Sequence, residues 1–203
     1  MRAVGENLPA VVRGETTILE HMTKDNRLDN YYIDALGFDH AYDVATGMVA
    51  QFVHRYPHMN IIEIGGGTGG ATAPILSEIG TAFTSYTFTD IGVGFLMKAQ
   101  DMFKDKDYAN KMVFKPLDIE KDVTSQGFVA HSYDIVLAAN VMHATHKLDE
   151  TLKNARKLLK PGGYLVMLEI VDNRPLRVGL VFGGLHGWWV GRDDGRRYAP
   201  TIE

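Results

Sequence analysis

From Ile61 onward, short apolar runs alternate with longer stretches in which apolar residues recur at helical spacing, a pattern that predicts strand-helix units around a parallel sheet. Residues 61–64 read as a first strand, and 86–89 and 112–117 as the second and third. Residues 135–139 (IVLAA) are apolar without alternation, as a strand covered on both faces must be. Leu148, Leu152, Ala155, Leu158 and Leu159 share one helical face, and Lys160-Pro161-Gly162-Gly163 stops that helix before a fifth strand at 164–168. Residues 1–58 differ: they hold no glycine-rich turn between strand-like runs, and 17–22 and 41–53 carry a helical, amphipathic pattern. They predict a helical cap on a core spanning 59–170. After Glu169 the alternation is lost, and within 171–203 the glycine- and aromatic-rich stretch 178–191 predicts no definite element.

Composition narrows the class without naming a function. A chain of 203 residues is about one domain, and 45% hydrophobic with 23% charged residues excludes disorder, coiled coil and collagen-like repeats. Lys plus Arg number 21 against 25 Asp plus Glu, and the net charge of -4 is scattered, so neither a nucleic acid nor an anionic membrane is an expected partner. No cysteine is present, which removes disulfides, Cys-ligated zinc, iron-sulfur clusters and thiol nucleophiles. A soluble, cytoplasmic protein is expected, since no apolar run approaches a membrane span and residues 1–20 lack a signal-peptide segment.

Glycine is the one excess, and its first cluster follows the first strand. Gly65, Gly67 and Gly70 satisfy G-x-G-x-x-G between a strand and a helix, with Gly66 inside the loop. Such a loop lets backbone approach a nucleoside where a Cβ would collide, or it simply packs a helix on a strand. Three acids bear on that choice. Glu63 ends the first strand, where a carboxylate suits the ammonium and sulfonium of S-adenosylmethionine and repels the pyrophosphate of a nicotinamide cofactor. Asp90 ends the second strand, 20 residues after Gly70, the spacing of a ribose-binding acid. Asp118 ends the third, beside Ile119, where an acid can reach an adenine amino group while the isoleucine covers the ring. Each acid alone could be a helix N-cap; three on successive strand ends favour a ligand.

With these motifs the chain resembles a class I S-adenosylmethionine-dependent methyltransferase, and more narrowly the C-methyltransferase domain of fungal highly reducing polyketide synthases. The resemblance spans the whole chain and rests on residues 63–72 (EIGGGTGGAT), 86–92 (YTFTDIG), 117–120 (LDIE), 138–145 (AANVMHAT), 158–163 (LLKPGG) and 187–196 (GWWVGRDDGR). It implies an α/β, Rossmann-like, mostly parallel doubly wound sheet with an N-terminal helical cap. It also implies S-adenosylmethionine as cofactor, and a β-ketoacyl chain on the phosphopantetheine of an acyl carrier protein as substrate, with other synthase domains as partners. Glu63, Gly65, Gly66, Gly67, Asp90, Asp118, Ile119 and Asn140 are then the expected cofactor residues. The sequence departs from the family in stopping before the final strands of a seven-stranded sheet. A fragment of a larger synthase, with an unpaired sheet edge, is the expectation.

Making a carbon nucleophile from a β-ketoacyl thioester needs a base for a proton flanked by two carbonyls. His143 follows the fourth strand and Glu169 ends the fifth, on the edge that carries the glycine loop. A carboxylate accepting one imidazole N–H fixes the tautomer and leaves the other nitrogen to take the proton. By resemblance these two form the catalytic dyad; a helix-start histidine and a solvated strand end are the bland alternative. No metal is needed: Asp134, which with Asn140 and Asp118 could suggest magnesium, begins its strand at the wrong edge. Tyr31 and Tyr32 in the cap, and Trp188 with Trp189, are substrate-side candidates or core. Arg192, Arg196 and Arg197 could meet a phosphopantetheine phosphate, although Asp193 and Asp194 among them favour a solvated loop. The competing functions are a free-standing small-molecule O- or N-methyltransferase, a truncated non-catalytic synthase module, and a nicotinamide dehydrogenase.

Overall fold

The structure, a computed structural model, describes residues 2–34, 38–171 and 176–195. Four helices come first: α1 (Arg2–Val12), α2 (Ile18–Thr23), α3 (Arg27–Asp34) and α4 (Phe38–Arg55). The sheet follows as β1 (Asn60–Ile64), α5 (Thr72–Ile79), β2 (Ser85–Asp90), α6 (Val93–Phe103), β3 (Met112–Pro116), β4 (Tyr133–Ala139), α7 (Leu148–Leu158) and β5 (Leu159–Leu168). A short α8 (Leu176–Phe182) and a 3-10 segment (His186–Asp194) close the described chain. Among the described residues no helix is long and apolar enough to cross a membrane.

Among the described residues the sheet has five strands, all parallel, in the order β3-β2-β1-β4-β5. The side chains of β1 and β4 explain why both faces are covered. Ile61, Ile135 and Leu137 enter one core with Val49, Val53, Ile75, Leu76 and Leu96 of α4, α5 and α6; Ile62, Ile64, Val136 and Ala138 enter the other with Ala155 and Leu158 of α7. Period-two alternation thus feeds two apolar layers, as a doubly wound sheet requires. Because β1 is flanked by β2 and β4, the connections leaving β1 and β4 diverge, and a crevice opens at their carboxyl ends.

Two expectations change. The 160–163 breaker lies inside β5, which begins at Leu159 rather than Tyr164: the register slips between Tyr133↔Leu159 and Ile135↔Tyr164, and Gly162 takes a left-handed φ of 80° in the bulge. The region after Glu169 does carry helical structure, invisible in the pattern because its apolar residues face the cap. Val181, Phe182 and Trp188 bury against Val4, Ile18 and Met22, a third small core joining cap and C-terminal segment.

Candidate functional site

The glycine loop is shaped by contacts that forbid side chains. A Cβ on Gly66 would stand 2.2 Å from the Phe88 ring, and one on Gly65 would stand 2.5 Å from Val141 Cγ2. Gly65, Gly67 and Gly69 adopt φ of 63°, 54° and 82°, so the third left-handed glycine is Gly69 rather than the Gly70 of the sequence motif. Asp90 braces the bend, Oδ2 accepting from Gly67 N–H (3.0 Å) and Oδ1 from Gly92 N–H (2.8 Å).

Glu63 is 1% exposed, on the face of β1 that enters the aromatic layer. Its Oε2 accepts from Thr72 Oγ1 (2.7 Å) and Tyr86 Oη (2.8 Å). Burial pushes its carboxyl up to about 7, against the lowering effect of those two hydroxyls; the nearby charge of Asp90 adds to the rise. Burial, followed by the charge of Glu63, also raises the Tyr86 phenol. Glu63 borders a cavity of about 170 Å³ with Gly65, Gly66, Gly67, Tyr42 and Asn140. A cation there would meet a carboxyl able to ionise near neutrality.

Asp118 and Ile119 follow β3 on the same edge but do not border this cavity. Asp118 pairs with Lys121 (2.9 Å), and its backbone is held at both ends by Gln126, whose Oε1 accepts from Asp118 N–H while Nε2 donates to Asp118 O (2.8 Å each). Ile119 is buried in the second core. The Gln126 clamp has no counterpart in the motif reading, because it comes from a 3-10 turn eight residues downstream.

At the end of β4 the sequence-predicted pair does meet. His143 Nδ1 lies 2.5 Å from Glu169 Oε2, and Glu169 Oε1 accepts from Val141 N–H (3.0 Å) and Met142 N–H (2.7 Å). One carboxylate therefore fixes both the imidazole and the backbone that carries it. Since an ionised carboxylate only accepts, Nδ1 bears the hydrogen, and the basic lone pair of the neutral ring is on Nε2. His143, Asn140, Ile170, Phe182, Leu185 and Trp188 border a second cavity, of about 220 Å³, whose wall is largely apolar. Trp188, 8% exposed, stands edge-on to His143 with centroids 6.4 Å apart and stacks on Phe182 at 5.4 Å. Phe182, Leu185 and Ile170 were not identifiable in sequence, where nothing ties them to a helix face or a motif.

Asn140 belongs to both cavities. Tyr31 belongs to neither: it packs edge-on against Phe182 (5.7 Å) and borders a cavity of about 440 Å³ within the cap. The side chain of Tyr32, and Arg196 and Arg197, lie outside the described residues, as do the last three residues of the chain. Among the described residues no three His, Cys, Asp or Glu side chains group as metal ligands, and Asp134 instead accepts from Asn60 N–H and pairs with Lys160 at the opposite edge of the sheet.

A parallel doubly wound sheet with a glycine loop, a buried acid at the end of β1 and a braced acid at the end of β2 defines a nucleoside-binding α/β enzyme fold. Residues 62–165 match the family model described as "Methyltransferase domain", and the chain belongs to that family of S-adenosylmethionine-dependent enzymes. Its relatives narrow the kind. It is 58% identical over 203 residues to Fusarielin synthase FSL1 of Gibberella zeae, covering 99% of this chain and 8% of that protein. It is 34% identical to the trans-methyltransferase CalH, solved in complex with SAH (TM-score 0.85, 99% of this chain, 55% of that one). It is 31% identical to the CMeT domain of the citrinin polyketide synthase (TM-score 0.82, 97% of this chain, 53% of that one). The chain is thus a methyltransferase domain of polyketide-synthase type, and it spans about half the length of the solved structures it matches and less than a tenth of FSL1.

Proposed function

We propose that the domain methylates the α-carbon of a β-ketoacyl polyketide intermediate carried on the phosphopantetheine of an acyl carrier protein. The observation that carries this reading is the His143–Glu169 contact, with His143 lining a largely apolar cavity that shares Asn140 with the glycine-loop cavity. Nε2 of His143 takes the α-proton, and Glu169, 4% exposed at its side chain, holds the ring and stabilises the imidazolium. Glu63 and the backbone of Gly65, Gly66 and Gly67, with Asp90 and Asn140 beside them, hold the methyl donor, and Asp118 and Ile119 would reach its far end from beyond this cavity on the same sheet edge; Phe182, Leu185 and Trp188 enclose the acyl chain and exclude water.

When bound, S-adenosylmethionine supplies an electrophilic methyl carbon and departs as a neutral sulfide. The electron pair of the broken C–H bond ends in the new C–C bond, and the proton stays on His143 until solvent removes it. The chain's contribution is alignment and a positioned base. Incubating the domain with S-adenosylmethionine and either β-ketoacyl thioester mimics or a panel of phenols, with products read by mass spectrometry, tests the reading. Methyl transfer to the α-carbon is expected; transfer to oxygen alone would refute it.

A further inference from the structure

We infer that Asn140 is a catalytic residue whose side-chain amide donates a hydrogen bond to the substrate oxygen that becomes negative when His143 removes the α-proton. The inference rests on the β-ketoacyl reading above and adds a role on the substrate side to a residue placed until now beside the cofactor.

The cost at Asn140 lies in its side chain. Its backbone is left-handed, with φ of 57°, a conformation that asparagine tolerates better than most residues. Its Nδ2 and Oδ1 are both sealed from solvent, and among the described residues neither has a hydrogen-bond partner. A buried amide left without hydrogen bonds is destabilising, so natural folds keep few of them, and a ligand that completes one accounts for its retention. The residue lies in the wall common to the two cavities, three positions before His143.

The reaction supplies the missing partner. As the α C–H bond breaks, its electron pair moves into the C–C–O system, the proton goes to His143 Nε2 and negative charge collects on a carbonyl oxygen. When the C–C bond to the methyl forms, that pair returns to carbon and the donor's S–C bond breaks with its electrons left on sulfur. Of the described side chains bordering the His143 cavity, only those of Asn140, His143 and Trp188 bear an N–H. His143 must be neutral to act as base, which leaves the amide and the indole. The amide rises from a backbone held on every side: its main-chain N–H is fixed to Leu168 O (2.7 Å), the next two N–H groups are fixed to Glu169, and Val141 is wedged against Gly65. A donor fixed in advance where charge develops is the arrangement that lowers a barrier, by about 100-fold or more in rate.

The test is deuterium incorporation at the α-carbon of a β-ketoacyl thioester mimic in D₂O without methyl donor, for wild type, Asn140→Asp, Asn140→Gly and Trp188→Phe. Donor dissociation constants and melting temperatures are measured in parallel. Aspartate and glycine both tolerate the left-handed backbone. Both Asn140 variants should lose exchange about 100-fold in the absence of donor, beyond any change in donor affinity, with Trp188→Phe losing about tenfold at most. Exchange that survives both Asn140 substitutions, or that is lost in Trp188→Phe instead, overturns the inference; so does a loss of donor affinity with exchange intact. A wild-type domain that binds donor and methylates another acceptor but exchanges no α-proton overturns the β-ketoacyl reading itself, a different outcome from failure of the Asn140 variants alone.

Discussion

Glu63 and Glu169 stand at the same edge of the same sheet, at the ends of β1 and β5, and their surroundings give them opposite tasks. Glu63 receives two hydroxyl hydrogen bonds on one oxygen, inside an aromatic layer that raises its carboxyl to about 7. Glu169 receives three N–H donors from the β4 loop, two on one oxygen and an imidazole on the other. The first is an acid held with capacity in reserve for a cation from outside. The second is spent on the protein's own loop, and what it delivers is an oriented imidazole. Residue type and strand position do not distinguish the two; the count and kind of donors do.

The largest expected effect bears on the β5 side. His143→Ala should lower methyl transfer to a β-ketoacyl thioester by about 10²- to 10⁴-fold, with donor affinity nearly unchanged by calorimetry. Equal losses in both readouts would erase the distinction between the two carboxylates. Next, Gly66→Ala drives a methyl into the Phe88 ring and should lower stability by about 1–3 kcal/mol in chemical denaturation, with Phe88→Leu restoring part of it. An unaffected midpoint would mean that the glycine loop is looser than the contact implies.

On the β1 side, Glu63→Gln should weaken S-adenosylmethionine binding about tenfold, the scale of one hydrogen bond to a charged group. The sign of the pH dependence follows from the raised carboxyl. The empty domain favours the protonated acid, so the contribution of Glu63 to stability is fully present below 4.5 and is lost as pH rises through about 7. A cationic ligand favours the ionised form, so wild-type affinity should climb across the same interval, and in Glu63→Gln the climb should vanish. The smallest effect is on the empty domain at pH 8, which the Gln substitution should stabilise slightly in thermal melts while leaving it unchanged at pH 4.

The same division governs what sequence revealed. The placement of Glu63, the glycine run, Asp90, His143 and Glu169 was legible because each sits at or just past a strand end whose flanking apolar run is short and unmistakable, and a strand end fixes where a side chain goes. The bracing of Gly67 by Asp90 was not legible, since it depends on a left-handed bend rather than on spacing. Nor was β5's early start, because Lys160–Gly163 carries the composition of a turn while pairing as a bulge. Trp188 was a candidate, but its neighbours Phe182 and Leu185 in the apolar wall beside His143 escaped detection for a different reason. Those residues are buried by helices from the other end of the chain, and no local periodicity records a partner so distant in sequence.

The most direct test of this account crosses the two carboxylates. Glu63→Gln and Glu169→Gln are each measured for S-adenosylmethionine affinity by calorimetry and for α-proton exchange of a β-ketoacyl thioester without donor. The account predicts a crossed result, with Glu63→Gln losing affinity while keeping exchange and Glu169→Gln losing exchange while keeping affinity. Two variants that lose both properties together would contradict it.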